Sequence, residues 1–281
     1  MTMISRRGAL IGGGAMMLTG ASGALAARPG VPLWLRGLQL YTVRALIAKD
    51  LPGTLHRIAA IGYRDVETAG LAGHTLPEWQ SALHRAGLRV LSSHIALDDL
   101  RKDASAAFAQ CRALGARHAI VPWTDEADRG DWTAVGRQLN AWAKDAAKAG
   151  LRLGYHNHEF EFEGSVGQRP FDLLVTNTDP QLVDFELDVY WAAFAGADPV
   201  AEMRRYPGRV RLLHLKDKRP GAVDLADPDG AQVPVGQGTI DFRTIIAEAI
   251  HHGIQAAFVE ADKPADPLAN ITASSRFLKR L

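Results

Sequence analysis

The sequence predicts an α/β protein, a single (β/α)8 TIM barrel preceded by a cleavable export signal, and three observations carry that expectation. Apolar-rich runs recur in the second half of the 281-residue chain, each rising to a cluster of ionisable residues and stopping: 151–159 (LRLGYHNHE), 182–188 (LVDFELD), 210–217 (VRLLHLKD) and 256–262 (AAFVEAD). Runs of that length, rich in Val, Leu and Phe, read as buried parallel strands. Strand-like and helix-like segments also alternate along the whole chain, which is the pattern of repeated βα units. Removing a leader of 26 residues leaves 281 − 26 = 255 residues, close to the roughly 250 of one such barrel.

The elements follow in order. Strands are expected near 36–41, 62–67, 88–94, 117–122, 151–157, 182–188, 209–216 and 255–260. Helical periodicity fills 51–61, 75–86, 104–114, 132–149, 171–177, 199–206, 242–252 and 270–281, and several of these stretches run into a glycine, as helix C-termini favour. A closed barrel is preferred to an open doubly wound sheet because polar groups cap most strand ends, whereas an open sheet gathers ligands at one switch point. The connection 219–239 is long and rich in Gly, Pro and Asp, which fits a lid over a site better than a chance insertion.

Residues 1–26 are expected to form a twin-arginine signal peptide, and 27–281 the barrel domain. Arg6 and Arg7 precede a mild apolar stretch, and Ala24-Leu25-Ala26 has the small-x-small pattern of a cleavage site. The stretch is too short and Gly-rich for a stable membrane anchor. The expected location is therefore the periplasm. The single cysteine, Cys111, has no internal partner and reads as a buried structural thiol. With 32 basic and 31 acidic residues interspersed, no basic stripe offers a nucleic-acid surface. Nothing in the composition decides for or against an oligomer.

Side chains two apart on a strand share a face, so the polar tips converge. His156 pairs with His158, Glu186 with Asp188, His214 with Lys216, and Glu260 with Asp262. His156, Asp188, His214 and Glu260 stand out as the ligands of one divalent metal ion. Mixed imidazole and carboxylate donors suit Mn, Co, Zn or Fe better than Ca, which takes oxygen only. Glu260, His158 and Lys216 are the candidate catalytic groups. His94, Glu67, Trp123 and Trp191 are candidates for binding substrate, the tryptophans by stacking on the apolar face of a sugar. Lys216 has a rival reading as an ion-pair partner of Asp217 or Asp188.

The segments LQLYTVR (38–44), GYRDVE (62–67), YHNHEFEF (155–162), ELDVYW (186–191), HLKD (214–217), VGQGTIDF (235–242) and VE (259–260) together resemble the sugar phosphate isomerase/epimerase superfamily with its xylose isomerase-like barrel. The resemblance implies a metal held by Glu, Asp, His and Glu from strands five to eight. Asp188, His214 and Glu260 match that pattern, while His156 stands where the family usually has Glu. The two-carboxylate acid/base mechanism of the epimerases is thereby altered, and His158, Lys216, Glu159 or Glu161 would supply the second proton-transfer group.

The expected activity is metal-dependent isomerisation or epimerisation of a keto-sugar, begun by proton abstraction beside the carbonyl and passing through an enediolate. The alternative on the same site is a 3-keto-glycoside lyase or hydratase. An apurinic endonuclease-like nuclease is disfavoured, because Trp191 stands where that pattern has His, and a non-catalytic sugar-binding barrel would not need the ligands. The expected partner is a small sugar or keto-glycoside. An exported enzyme would meet it unphosphorylated.

Overall fold

Eight parallel strands pair in chain order and close on themselves: Gly37–Gln39, Asp65–Ala69, Arg89–His94, His118–Val121, Arg152–His156, Val183–Asp188, Val210–Leu215 and Ala256–Val259. They are called the first to eighth strands below. They are seen in a computed structural model that describes residues 33–281. The expected signal peptide, 1–26, lies outside the described residues. Closure is made by the first strand, which pairs Leu38 with Val259 of the eighth and with Val66 of the second. The sheet is therefore a barrel with no switch point. The expected helices pack around it, with local chemistry that explains their ends. Thr75 opens Leu76–Ala86 with a reciprocal capping box to Glu78, and Gly62 closes Leu51–Ile61 at φ 117, a conformation that costs a glycine little.

Three local departures from the sequence reading have identifiable causes. The first strand is shorter than expected because the Gln39 side chain accepts from the Tyr41 amide and starts a 3-10 turn, Leu40–Val43, that leads into a helix, Arg44–Lys49. The helix expected over 104–114 begins at Leu97 and bends at Asp103, whose carboxylate accepts from the Ala106 amide and restarts the helix. A short helix, Val189–Phe194, follows the sixth strand directly, capped by Asp188.

Inside the barrel, Ile120, Leu212, Ala256 and Phe258 form an apolar plug. Toward the C-terminal ends of the strands the interior turns polar. Register sets who meets whom there: Gln39 lies opposite Glu67, His156 opposite Glu186, and Asp188 opposite His214. Cys111 is buried in its helix, and burial pushes its thiol up to about 11, which makes it inert as a nucleophile.

The long connection after the seventh strand is a ribbon with a tied neck. Asp217–Lys218 pairs antiparallel with Gln232–Val233. The fully buried Asp217 carboxylate accepts from the amides of Lys218, Gly236, Gly238 and Ile240 at 2.8, 2.9, 2.8 and 3.1 Å. A side chain at Gly238 would collide with that carboxylate and with the Lys218 carbonyl.

Candidate active site

A cavity of about 640 Å³ opens at the C-terminal ends of the strands, where barrels of this class carry their chemistry. His94, His156, His158, Lys216, Glu260 and Asp262 are in its wall, with Trp123 and Trp191. Another cleft, of about 700 Å³, lies between the helices Leu97–Leu114 and Trp132–Lys148. It has no converging imidazoles, so the barrel mouth is the candidate site.

Lys216 is at the centre. Its buried ammonium lies 3.1 Å from Asp188 Oδ2, 2.9 Å from Glu260 Oε2 and 2.9 Å from Asp262 Oδ2. Of the two partners the sequence suggested for Lys216, Asp188 is engaged, while Asp217 is committed to backbone amides in the neck. Asp262 is tied in turn to the long connection, since Gln232 donates to its carboxylate and accepts from its amide.

Asp188 has a divided role. Its Oδ1 accepts from the amides of Tyr190 and Trp191 at 2.8 and 3.0 Å, capping the helix Val189–Phe194. Its Oδ2 is buried without a hydrogen bond of good geometry. That oxygen faces His214 Nδ1 at 3.9 Å and His156 Nε2 at 4.0 Å, and His214 Nδ1 lies 2.8 Å from Glu260 Oε2.

The four ligands expected from the sequence thus come together, in two overlapping sets. Asp188, His214 and Glu260 form one group with the spacing of a metal site; His156 is grouped with His94, Glu186 and His214 in a deeper one. The donors are N and O, buried, and His156 Nδ1 and Glu186 Oε1 among their atoms lack hydrogen-bond partners. Such a donor set fits a first-row divalent cation.

Glu67 is not among the residues of the cavity wall. It is fully buried, and its Oε2 lies 2.6 Å from His214 Nε2, 3.2 Å from His94 Nε2 and 2.8 Å from Gln39 Nε2. It sits beneath the site among protein nitrogens, so the cavity is faced by His94 above it. Glu161 is also turned away. It is fully buried, accepting from the Tyr155 hydroxyl at 2.6 Å and the His158 amide at 2.7 Å, whereas Glu159 lines the cavity. Gln39, Glu186 and Asp262 were not singled out by sequence reasoning. For Glu186 and Asp262 the two-residue spacing from Asp188 and Glu260 was the available signal.

The aromatic wall positions His158. Its ring meets Trp123 edge-on at 4.7 Å and tilts against Trp191 at 5.4 Å. Trp123 is 43% exposed at the lip, and Trp191, only 4% exposed, lies with its ring 5.6 Å from the Lys216 ammonium.

Charge is distributed unequally among these groups. Burial would raise the Glu260 carboxyl, but Lys216 and His214 outweigh it and hold it below its usual range. Burial raises Asp188 to about 6 despite Lys216 and His214. Burial opposes a charge on His94, yet Glu67 and Glu186 hold it at about 9. His158 is pushed well below its usual value by burial and by Lys216, so its imidazole is neutral. Lys216 stays charged, because three carboxylates override the cost of burial.

A family model described as a xylose isomerase-like TIM barrel matches residues 55–281. The chain is 27% identical to a sugar phosphate isomerase/epimerase from Parabacteroides distasonis ATCC 8503, with a TM-score of 0.76 over 92% of this chain and 97% of that one. It is 25% identical to the inosose dehydratase of Geobacillus kaustophilus over 83% of this chain and 90% of that one. With the inosose dehydratase of Clostridium tetani it is 28% identical, over 53% of this chain and 54% of that one, so this match spans only about half of each protein.

Proposed function

Because the chain belongs to the xylose isomerase-like TIM barrel family, we propose that its cavity removes a proton beside the carbonyl of a keto-sugar or keto-cyclitol and expels a β-hydroxyl as water. The observation that carries this reading is the unequal pair His158 and Lys216: one neutral imidazole and one permanently charged ammonium in the same wall. Epimerisation by two carboxylates requires a second carboxylate on the fifth strand, and this chain has His156 there. The dehydratases among its relatives favour the same outcome.

Asp188, His214 and Glu260, with His156, would hold the divalent cation. When bound, that cation polarises the carbonyl oxygen and offsets the negative charge that develops as the proton leaves. Lys216 Nζ donates a hydrogen bond to the same oxygen and keeps its own proton, since its pKa is far above neutrality. His158 takes the α-proton on the ring nitrogen that faces the cavity. As the imidazolium it returns that proton to the β-hydroxyl, which departs as water while the C–H electron pair becomes the new double bond. Trp123 and Trp191 hold the imidazole in place and offer apolar faces to the substrate ring.

Isomerisation or epimerisation is the second reading, and Glu260 favours it. Kept ionised in the cavity wall, it would serve as the second proton carrier. The two are separated by incubating the full chain with Mn²⁺ and panels of inososes, ketoses and 3-keto-glycosides in D₂O. Dehydration gives a product lighter by one water and absorbing as a conjugated enone, abolished in His158→Gln. Deuterium incorporation without loss of mass supports the epimerase. Cleavage of abasic DNA with no turnover of any sugar sinks both.

A further inference from the structure

Beneath the rim, a chain of side chains runs from the first strand to the seventh. Gln39 Oε1 accepts from the Tyr41 amide at 3.0 Å, which orients the amide group. Its Nε2, which can only donate, reaches Glu67 Oε2 at 2.8 Å. The same oxygen lies 2.6 Å from His214 Nε2. The carboxylate oxygen receives both contacts, so His214 Nε2 carries a proton held by Glu67, and Nδ1 is the nitrogen left to face the metal site. Nδ1 is the buried atom aimed at Glu260 Oε2, 2.8 Å away, and at Asp188 Oδ2, 3.9 Å away.

We propose that Gln39 and Glu67 are positioning residues: they set the ring orientation and proton placement of His214, so that Nδ1 is presented as a metal donor. Ligating imidazoles are commonly braced through their other nitrogen by a carboxylate. Here the brace comes from the second strand, and its own orientation comes from a turn at the end of the first. Glu67 therefore does not bind sugar. A second cation in the deeper group of His94, His156, Glu186 and His214 would need His214 to give up the Nε2 proton, and the 2.6 Å contact with Glu67 opposes that.

The inference rests on the metal-holding role given to Asp188, His214 and Glu260, and one set of measurements separates the two. Metal affinity of the full chain is measured by Co²⁺ titration against a chelator, with the visible spectrum of the bound ion, in wild type, Glu67→Gln and Gln39→Leu. Glu67→Gln should weaken binding roughly 10- to 100-fold, with Gln39→Leu moving the same way by less, while thermal melting of the metal-free proteins shows them folded. ¹⁵N NMR of the Zn²⁺-loaded wild type should show His214 protonated at Nε2 and metal-bound at Nδ1, a result that requires no variant to fold. Unchanged affinity and spectrum in folded Glu67→Gln, the opposite nitrogen on the metal, or two ions per chain overturn the inference and leave the metal reading standing. Failure of the wild type to bind any ion overturns both.

Discussion

Lys216 bridges Glu260 and Asp188 through one ammonium, 2.9 Å from the first carboxylate and 3.1 Å from the second. Two groups suited to a divalent cation thus already share a monovalent one. Replacing Lys216 by Met should destabilise the metal-free protein by about 3–5 kcal/mol, because three buried carboxylates lose their partner. Added Mn²⁺ should then raise the melting temperature more than it does in wild type. Calorimetry with and without Mn²⁺ checks this; equal responses would mean that lysine and cation do not share these carboxylates.

Asp188→Ala should abolish metal binding and turnover at a modest structural cost. The cap on the helix Val189–Phe194 is lost with it, worth about 0.5–2 kcal/mol, together with one of the three contacts of Lys216, which keeps Glu260 and Asp262. Urea unfolding beside a metal titration separates the two effects, and a global collapse with metal affinity retained would make Asp188 purely structural.

Glu161 gives the stability curve a definite sign. Burial raises its carboxyl to about 8 from the ordinary 4.5, against the hydrogen bonds from Tyr155 and the His158 amide. A raised carboxyl contributes stability that is fully present below about pH 4.5 and is lost as pH climbs through 8. Unfolding free energies of wild type and Glu161→Gln, compared from pH 5 to 8.5, should therefore diverge in slope, with the variant flatter. Parallel curves would place the carboxyl near its ordinary value.

At the outer face, Arg169 is clamped between Asp172 and Glu202, with contacts of 2.7 and 2.8 Å. Burial would raise Asp172, but Arg169, the Tyr206 hydroxyl and the Gly167 amide hold it at about 2. Its contribution is present above about pH 3.8 and lost as pH falls through 2. Asp172→Asn should cost about 3–5 kcal/mol at pH 7, and the gap to wild type should narrow toward pH 3. A denaturant series at both pH values measures it.

The barrel was legible because its strands are apolar until their tips, a pattern that solvent-facing sheets do not share. The tips of strands five to eight were legible for the same reason: His156, Asp188, His214 and Glu260 each interrupt an apolar run and do converge. Gln39 was hidden because its partner, Glu67, lies 28 residues away, and pairing across strands depends on register, which a single sequence does not display. Glu186 sat inside an apolar run where parity placed it inward, yet its role follows from the three imidazoles around it. The helix after Asp188 escaped detection because it is only six residues long, less than two turns of periodicity.

The knot that Asp217 ties with the amides of Gly236, Gly238 and Ile240 has an evolutionary consequence. It fixes both ends of the ribbon that carries Pro228 and Asp229 to the cavity mouth, and Gln232 and Pro228 tie its returning side to Asp262 and Tyr190, so the stretch 220–226 is the part that lies clear of those ties. Closing a longer loop on the same knot costs little, about 0.6 kcal/mol for each doubling of its length. That segment is accordingly a replaceable cassette, free to drift in sequence and size and to retune which substrates are admitted, while Lys216 and the strand-end residues keep their places.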